Sequence, residues 1–176
     1  MKAAPRSVRA LAAVVVRALA EEGVEAVLTG GAVVSLYTNN AYESKDLDFV
    51  CAAGRERVER AMASIGFRRE GRSFVREGIP FTVEFPTGPL ALGEHVGVRP
   101  AGRLRVGATL IRLLSPAQCV MDRLAWFFHN RDRQCLDQAV AVASSQAVSL
   151  DAIRRWARGE NDEEGWTVFL EALKRS

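Results

Sequence analysis

The apolar positions of this chain change period several times, and each change marks an element. Between Pro5 and Glu22, the residues Val8, Leu11, Val15 and Leu19 recur at intervals of three and four, the stripe of a helix with one buried face. Pro5 suits its first turn and Gly23 its stop. A short apolar run from Glu25 to Leu28 predicts a strand, and Gly30-Gly31 then opens "AVVSLYTNN". There Val33, Val34, Leu36 and Tyr37 fit a short buried helix that Asn39-Asn40 ends. "KDLDFVCA" alternates as a second strand, and "GRERVERAMASIGF" returns to helical spacing with Val58, Met62 and Ile65 facing inward.

Three strands are expected next, at Phe67 to Glu70, Ser73 to Arg76 and Phe81 to Phe85, with turns at Gly71-Arg72 and Gly78-Ile79-Pro80. Pro86 to Gly93 reads as a loop. Short strands are expected at Val96 to Arg99, Leu104 to Val106 and Thr109 to Leu113. From Ser115 onward the pattern is helical throughout. Ser115 caps and Pro116 begins a helix with the stripe Val120, Leu124, Phe127 and Phe128. Further helices follow at "DRQCLDQAVAVASS", Leu150 to Arg158 and Glu163 to Lys174. The pattern predicts an α+β fold, a mixed β-sheet with helices packed on it. It divides into a core over 1–114 and a C-terminal helical region over 115–176.

Composition narrows this picture. A chain of 176 residues, 48% apolar, suffices for one compact unit with a helical appendage. Net charge is +3, and all but three of the 24 cationic residues are arginine. Arginine suits planar contacts with phosphate, though such a bias also follows genome composition. The N-terminus is not read as a signal peptide, because Arg9 and Arg17 bracket its apolar run and Glu21-Glu22 follow. No stretch is expected to cross a membrane. Cys51, Cys119 and Cys135 are odd in number and widely spaced. They read as reduced thiols of a cytoplasmic protein. His95 and His129 lack metal-pair or dyad spacing, and neither is expected to do chemistry.

The candidate chemistry lies in "LTGGAVVSLYTNNAYESKDLDFV". Asp46 and Asp48 stand at i and i+2 on a strand, on one face and about 7 Å apart along it. Two carboxylates so placed raise each other's pKa unless a cation shares them. Oxygen-only ligands favour Mg²⁺ or Mn²⁺ over zinc. In "FTVEFP", Glu84 alternates away from Phe81, Val83 and Phe85. If that strand lies beside the Asp48 strand, three carboxylates share one face, a set able to hold two divalent cations about 4 Å apart. A strand–Gly–Gly–helix turn brings backbone close to a ligand and points helix N-terminal amides at an anion.

This segment resembles the signature of the nucleotidyltransferase superfamily, the polymerase-β-like fold. That signature is a hydrophobic residue, Gly, Gly or Ser, a spacer, then Asp-hydrophobic-Asp-hydrophobic and a later third acid. Thr29-Gly30-Gly31, Asp46-Leu47-Asp48-Phe49 and Glu84 match it, with Thr29 less hydrophobic than usual and a spacer lengthened around Asn39 to Tyr42. Ser44 falls where many relatives have Ser or Thr. Arg123 stands in the "SPAQCVMDRLAWFFHN" helix where many relatives carry Lys, and Asp132 and Asp137 match later acids of structural or capping role.

The resemblance is best to small stand-alone prokaryotic members, including the toxins of abortive-infection toxin–antitoxin systems. It implies transfer of a nucleoside monophosphate from an NTP to an acceptor hydroxyl. Asp46, Asp48 and Glu84 would hold the metals, and Gly30, Gly31 and Ser35 would cradle the triphosphate. Ser44 and Arg123 are further nucleotide-binding candidates. The acceptor is left open among tRNA, protein and small molecule, and an antitoxin is a candidate partner. The competing reading is a non-catalytic nucleotide- or RNA-binding module of the same fold. The arginines from Arg55 to Arg76 would then form a nucleic-acid stripe, unless the glutamates among them make it an ordinary mixed surface.

Overall fold

The structure, a computed structural model, describes residues 5–176. The first helix, α1 (Val8–Glu21), starts three residues later than Pro5 suggested. The reason is Ser7, whose hydroxyl accepts the Ala10 amide at 3.2 Å and sets the cap. Leu11, Val15 and Leu19 are wholly buried along its inner stripe. Each such side chain contributes about 1.5–3 kcal/mol by leaving water.

Strand β1 (Ala26–Thr29) leads directly into α2 (Gly30–Tyr37), and Asn39 and Asn40, both at positive φ, turn the chain after it. Strand β2 (Asp46–Cys51) then runs back antiparallel to β1, and α3 (Arg55–Ser64) follows. The next three strands are β3 (Arg68–Glu70), β4 (Ser73–Val75) and β5 (Thr82–Glu84). The segment expected as loop and strand over 86–99 instead folds into a separate hairpin, β6 (Ala91–Leu92) with β7 (His95–Val96). Gly93 at φ +58° makes its turn. Strands β8 (Gly102–Val106) and β9 (Thr109–Leu113) close the sheet.

The sheet has seven strands in the order β3-β4-β5-β2-β1-β9-β8, with β5 parallel to β2 and β9 parallel to β1. Its two faces differ in kind. Leu28, Leu47, Phe49, Val83, Ile111 and Leu113 are at most 1% exposed and lie on one face, where α1 packs. By alternation Val27, Asp48, Val50, Glu84 and Arg112 lie on the other. Four helices follow the sheet: α4 (Pro116–Asn130), α5 (Arg133–Ser145), α6 (Leu150–Gly159) and α7 (Glu163–Lys174). Ser115 and Gln118 form a reciprocal capping box at the start of α4, and Asp132 caps α5 through the amides of Gln134 and Cys135. α4 packs against α2 and β6 and so brings the helical region to the glycine turn. No described helix is long and apolar enough to cross a membrane.

Candidate active site

The register of two parallel strands builds the site. Asp48 lies directly beside Glu84, and Asp46 beside Thr82. Thr29, the last residue before the glycines, pairs with Asp48 from the other side, and its hydroxyl donates to the Asp48 carbonyl at 3.3 Å. The three acids therefore share one face of adjacent strands.

Their side chains, however, do not converge. Among the described residues, no three His, Cys, Asp or Glu side chains come together as a metal-holding group. The three acids share one face, as the alternation led us to expect, but as they stand Asp46 and Glu84 are each turned to their own partner. Like charges on neighbouring strands have instead turned to separate donors. Asp46 accepts the Thr82 hydroxyl. Glu84 accepts the Ser73 hydroxyl at 2.6 Å and pairs with the Arg72 guanidinium at 3.4 Å. Ser73 sits opposite Glu84 on β4, so a serine one strand away, unremarked in the sequence, positions the third acid.

Asp48 carries the electrostatic burden. Burial, then the negative charges of Glu84 and Asp46, push its carboxyl up from 3.8 to about 6, and Arg123 only partly opposes them. A carboxylate raised by its own neighbours marks an excess of negative charge, which a divalent cation would relieve. With an all-oxygen donor set, these residues fit Mg²⁺ or Mn²⁺ in chemistry.

The glycines are fitted to this acid. Gly30 has φ +67°, and a Cβ there would lie 2.7 Å from the Asp48 carboxylate. A Cβ on Gly31 would lie 3.0 Å from the Ser44 hydroxyl. Glycine lets Asp48 and Ser44 approach the start of α2, where no side chain caps the first amides. Those amides, with the positive end of the helix, suit an anion.

Two nucleotide-binding candidates are placed otherwise than expected. Ser35 is fully buried. Its hydroxyl donates toward the carbonyls of Tyr42 at 2.7 Å and Gly31 at 3.2 Å, and accepts the Ser44 amide at 2.8 Å. It pins the 38–44 loop, and its one hydroxyl hydrogen is given to these carbonyls rather than to a phosphate. Arg123 is clasped by Asp122, at 3.0 Å from Nε and 2.5 Å from Nη2, and only 12% of its side chain is exposed. It faces Asp48 as part of a pair rather than as a free cation. Burial lowers the arginine's pKa, but Asp122, together with the smaller effects of Cys135 and Cys119, raises it on balance, so its charge is secure. Tyr37 packs against the core: its hydroxyl donates to the Leu114 carbonyl at 2.8 Å, and burial first of all pushes its phenol up to about 12.

Much of the arginine series is engaged by its own surroundings. Arg57 donates to the Glu22 and Gly23 carbonyls at the end of α1, and Arg76 to the Ile65 carbonyl at 2.9 Å. Arg60 pairs with Glu22, Arg68 with Glu70, and Arg69 with Glu59. The histidines hold a structural knot that spacing did not reveal. Glu160, with no side-chain exposure, accepts the Glu94 amide and lies 3.1 Å from His95 Nδ1 and 2.8 Å from His129 Nε2. It fastens the β6–β7 hairpin to α4 and α6. All three cysteines are free thiols.

Comparisons with known proteins bear on this arrangement. A family model described as "Nucleotidyl transferase of unknown function (DUF2204)" matches residues 8–68, which include the glycine turn, Asp46 and Asp48. Among solved structures, the chain is similar to an antigenic nucleotidyltransferase-like protein from Paracoccidioides brasiliensis, with TM-score 0.60 and 12% identity. That match covers 96% of this chain and 95% of the other. It is also similar to ANT(2'')-Ia in complex with adenylyl-2''-tobramycin, with TM-score 0.59, 12% identity, and 89% and 98% of the two chains covered. A solution structure of the same antibiotic-resistance factor matches with TM-score 0.56 and 12% identity over 84% of this chain and 89% of that one. No curated protein matches by sequence.

Proposed function

We propose that the chain is a member of the nucleotidyltransferase superfamily, a reading supported by its fold and by the family pattern over residues 8–68, and that it transfers a nucleoside monophosphate from an NTP to an acceptor hydroxyl. The observation that carries the reading is the side-by-side register of Asp48 and Glu84, opposite a glycine that must lack a side chain for Asp48 to fit.

The residues divide the work. The first amides of α2, at Gly31 and Ala32, receive the triphosphate oxygens, while the Ser44 hydroxyl, which donates to the Asp46 carbonyl at 2.9 Å, holds the start of β2 beside them. Asp46, Asp48 and Glu84 would hold Mg²⁺ or Mn²⁺, which supplies charge neutralisation at the phosphates and at the attacking oxygen. Glu84 stands on the acceptor side and orients the hydroxyl. Arg72, now on Glu84, moves off as that carboxylate turns inward. Their exposed ion pair costs little to open, about 0–1 kcal/mol. Arg123, beside Asp48, stays protonated but is largely neutralised by Asp122, so it partly offsets the acids' charge rather than adding a mobile cation. The acceptor oxygen bonds to the α-phosphorus, the bond from that phosphorus to the β-phosphate bridge breaks, and pyrophosphate leaves. Such chemistry is largely positioning and charge neutralisation.

The acceptor classes compatible with this chemistry are a tRNA end, a protein hydroxyl and a small molecule such as an aminoglycoside. A toxin role, with an antitoxin covering the site, belongs to the first two. The test is transfer of α-labelled NTP, each base in turn, with Mg²⁺ or Mn²⁺, to tRNA, protein extract and tobramycin. The wild-type chain transfers label, and Asp48→Ala loses at least a hundredfold. Tight NTP binding with no transfer to any acceptor would contradict the enzyme reading and favour a nucleotide-binding module.

A further inference from the structure

A cavity of about 1160 Å³ opens at the carboxyl ends of β2 and β5. Of the three acids, only Glu84 lines it. Under the nucleotidyl-transfer reading, on which this inference rests, the triphosphate lies at the glycine turn and the cavity lies on the far side of Glu84. It is therefore the room left for the acceptor.

Its walls state what that acceptor carries. The floor is apolar, with Val27, Val50, Phe85 and Leu90 among its residues, and four arginines line it: Arg55, Arg69, Arg72 and Arg112. Three carboxylates face them. Glu59 is shared, 3.2 Å from Arg69 and 4.0 Å from Arg55. Glu25 takes Arg112 at 2.6 Å, and Glu84 takes Arg72 at 3.4 Å. Once Glu84 serves the reaction, two glutamates remain for four guanidinium groups. All these pairs are partly open to water and exchange readily. A guanidinium gains more from a phosphate, which it can grip through two parallel hydrogen bonds.

We infer that the acceptor is a phosphate-bearing hydroxyl compound. Its phosphate rests on the arginine wall, its apolar or planar body on the Val27–Val50 floor, and its hydroxyl points to Glu84. The hydroxyl oxygen bonds to the NTP α-phosphorus, the hydroxyl proton passes to Glu84 and then to solvent, and pyrophosphate departs with the bonding pair. The same wall disfavours a polycationic acceptor. The phosphate has two sources, a free monophosphate or the end of an RNA strand, and the experiment separates them.

The experiment is calorimetric titration of the full chain, with and without Mg²⁺ and a saturating non-hydrolysable NTP analogue. The ligands are uridine 5′-monophosphate, uridine, a short RNA hairpin with a free 3′ end, and tobramycin. With the analogue bound, the monophosphate is expected to bind at least tenfold more tightly than uridine, and tobramycin not to bind. The double variant Arg69→Gln, Arg112→Gln should weaken phosphate binding tenfold or more and leave analogue affinity unchanged. Both side chains are partly exposed, and an unchanged melting temperature verifies the fold. Hairpin affinity well above that of the monophosphate identifies a strand end, and comparable affinities a small acceptor. Equal binding of uridine and its monophosphate, tobramycin binding as tightly as phosphate compounds, no phosphate binding, or an unaffected double variant each overturns the inference. Failure of the analogue itself to bind instead counts against the nucleotidyl-transfer reading, and the arm without analogue still tests the arginine wall.

Discussion

Gly30 and Asp48 are one unit at the residue scale. The backbone at Gly30 is left-handed, and any side chain there would meet the Asp48 carboxylate at 2.7 Å. Gly30→Ala is expected to cost about 1–3 kcal/mol of stability from backbone strain alone. It should also lower transfer at least tenfold by displacing the acid, with urea denaturation and label transfer as the two readouts. Asp48 sets the pH response. Its folded-state pKa of about 6 lies above the unfolded 3.8, so the folded chain holds that proton more tightly. The penalty is absent well below pH 3.8, grows as pH rises from 3.8 to about 6, and is complete above that. In metal-free buffer, Asp48→Asn should therefore stabilise the chain at pH 8, by on the order of 1–2 kcal/mol after solvent screening of a partly exposed group. At pH 4 the gain should nearly vanish. Equal effects at the two pH values, followed by thermal denaturation, would remove this account of Asp48. The acids and glycines were legible in the sequence because each rests on a short-range rule, strand alternation or steric freedom. Ser73, Thr82 and Arg72 were not, because only strand register brings them to the acids.

At the scale of elements, the 38–44 loop and the β6–β7 hairpin show why some assignments failed. Ser35 sits one turn into α2, a plausible place for a phosphate ligand, yet the loop after the helix folds back and takes its hydroxyl. No local pattern announces a contact made through a loop's return path. The hairpin was read as loop because two-residue strands carry no periodicity. It is held by Glu160 from the end of α6, between His95 and His129, and by the Trp156 indole donating to the Leu92 carbonyl at 3.1 Å. Gly93 must be glycine because a Cβ would lie 2.0 Å from the Glu160 carboxylate. Glu160→Ala strands two histidines and one amide and leaves a hole. It is expected to cost about 1–3 kcal/mol by urea denaturation through lost hydrogen bonds and the cavity left behind, whereas Glu160→Gln, which keeps shape and some hydrogen bonds, should cost less than half as much. A loss under 1 kcal/mol for the alanine variant would show that the hairpin is fastened elsewhere.

For the whole molecule, the strand and helix pattern yielded the α+β class and most of the element order, because the buried stripes and the alternating strands are long enough to register. The sheet order, with β5 inserted beside β2 and β9 beside β1, was legible only as the condition that Glu84 join the aspartates. That condition is met in register, but the carboxylates point to separate partners, so the site as it stands is charged, half-open and poised rather than assembled. A cation would assemble it, and Mn²⁺ binding followed by electron paramagnetic resonance decides whether it does. In the presence of a non-hydrolysable NTP analogue, the wild-type chain should bind Mn²⁺ at least tenfold more tightly than Asp46→Asn, Asp48→Asn or Glu84→Gln. Affinity unchanged by all three substitutions would contradict it.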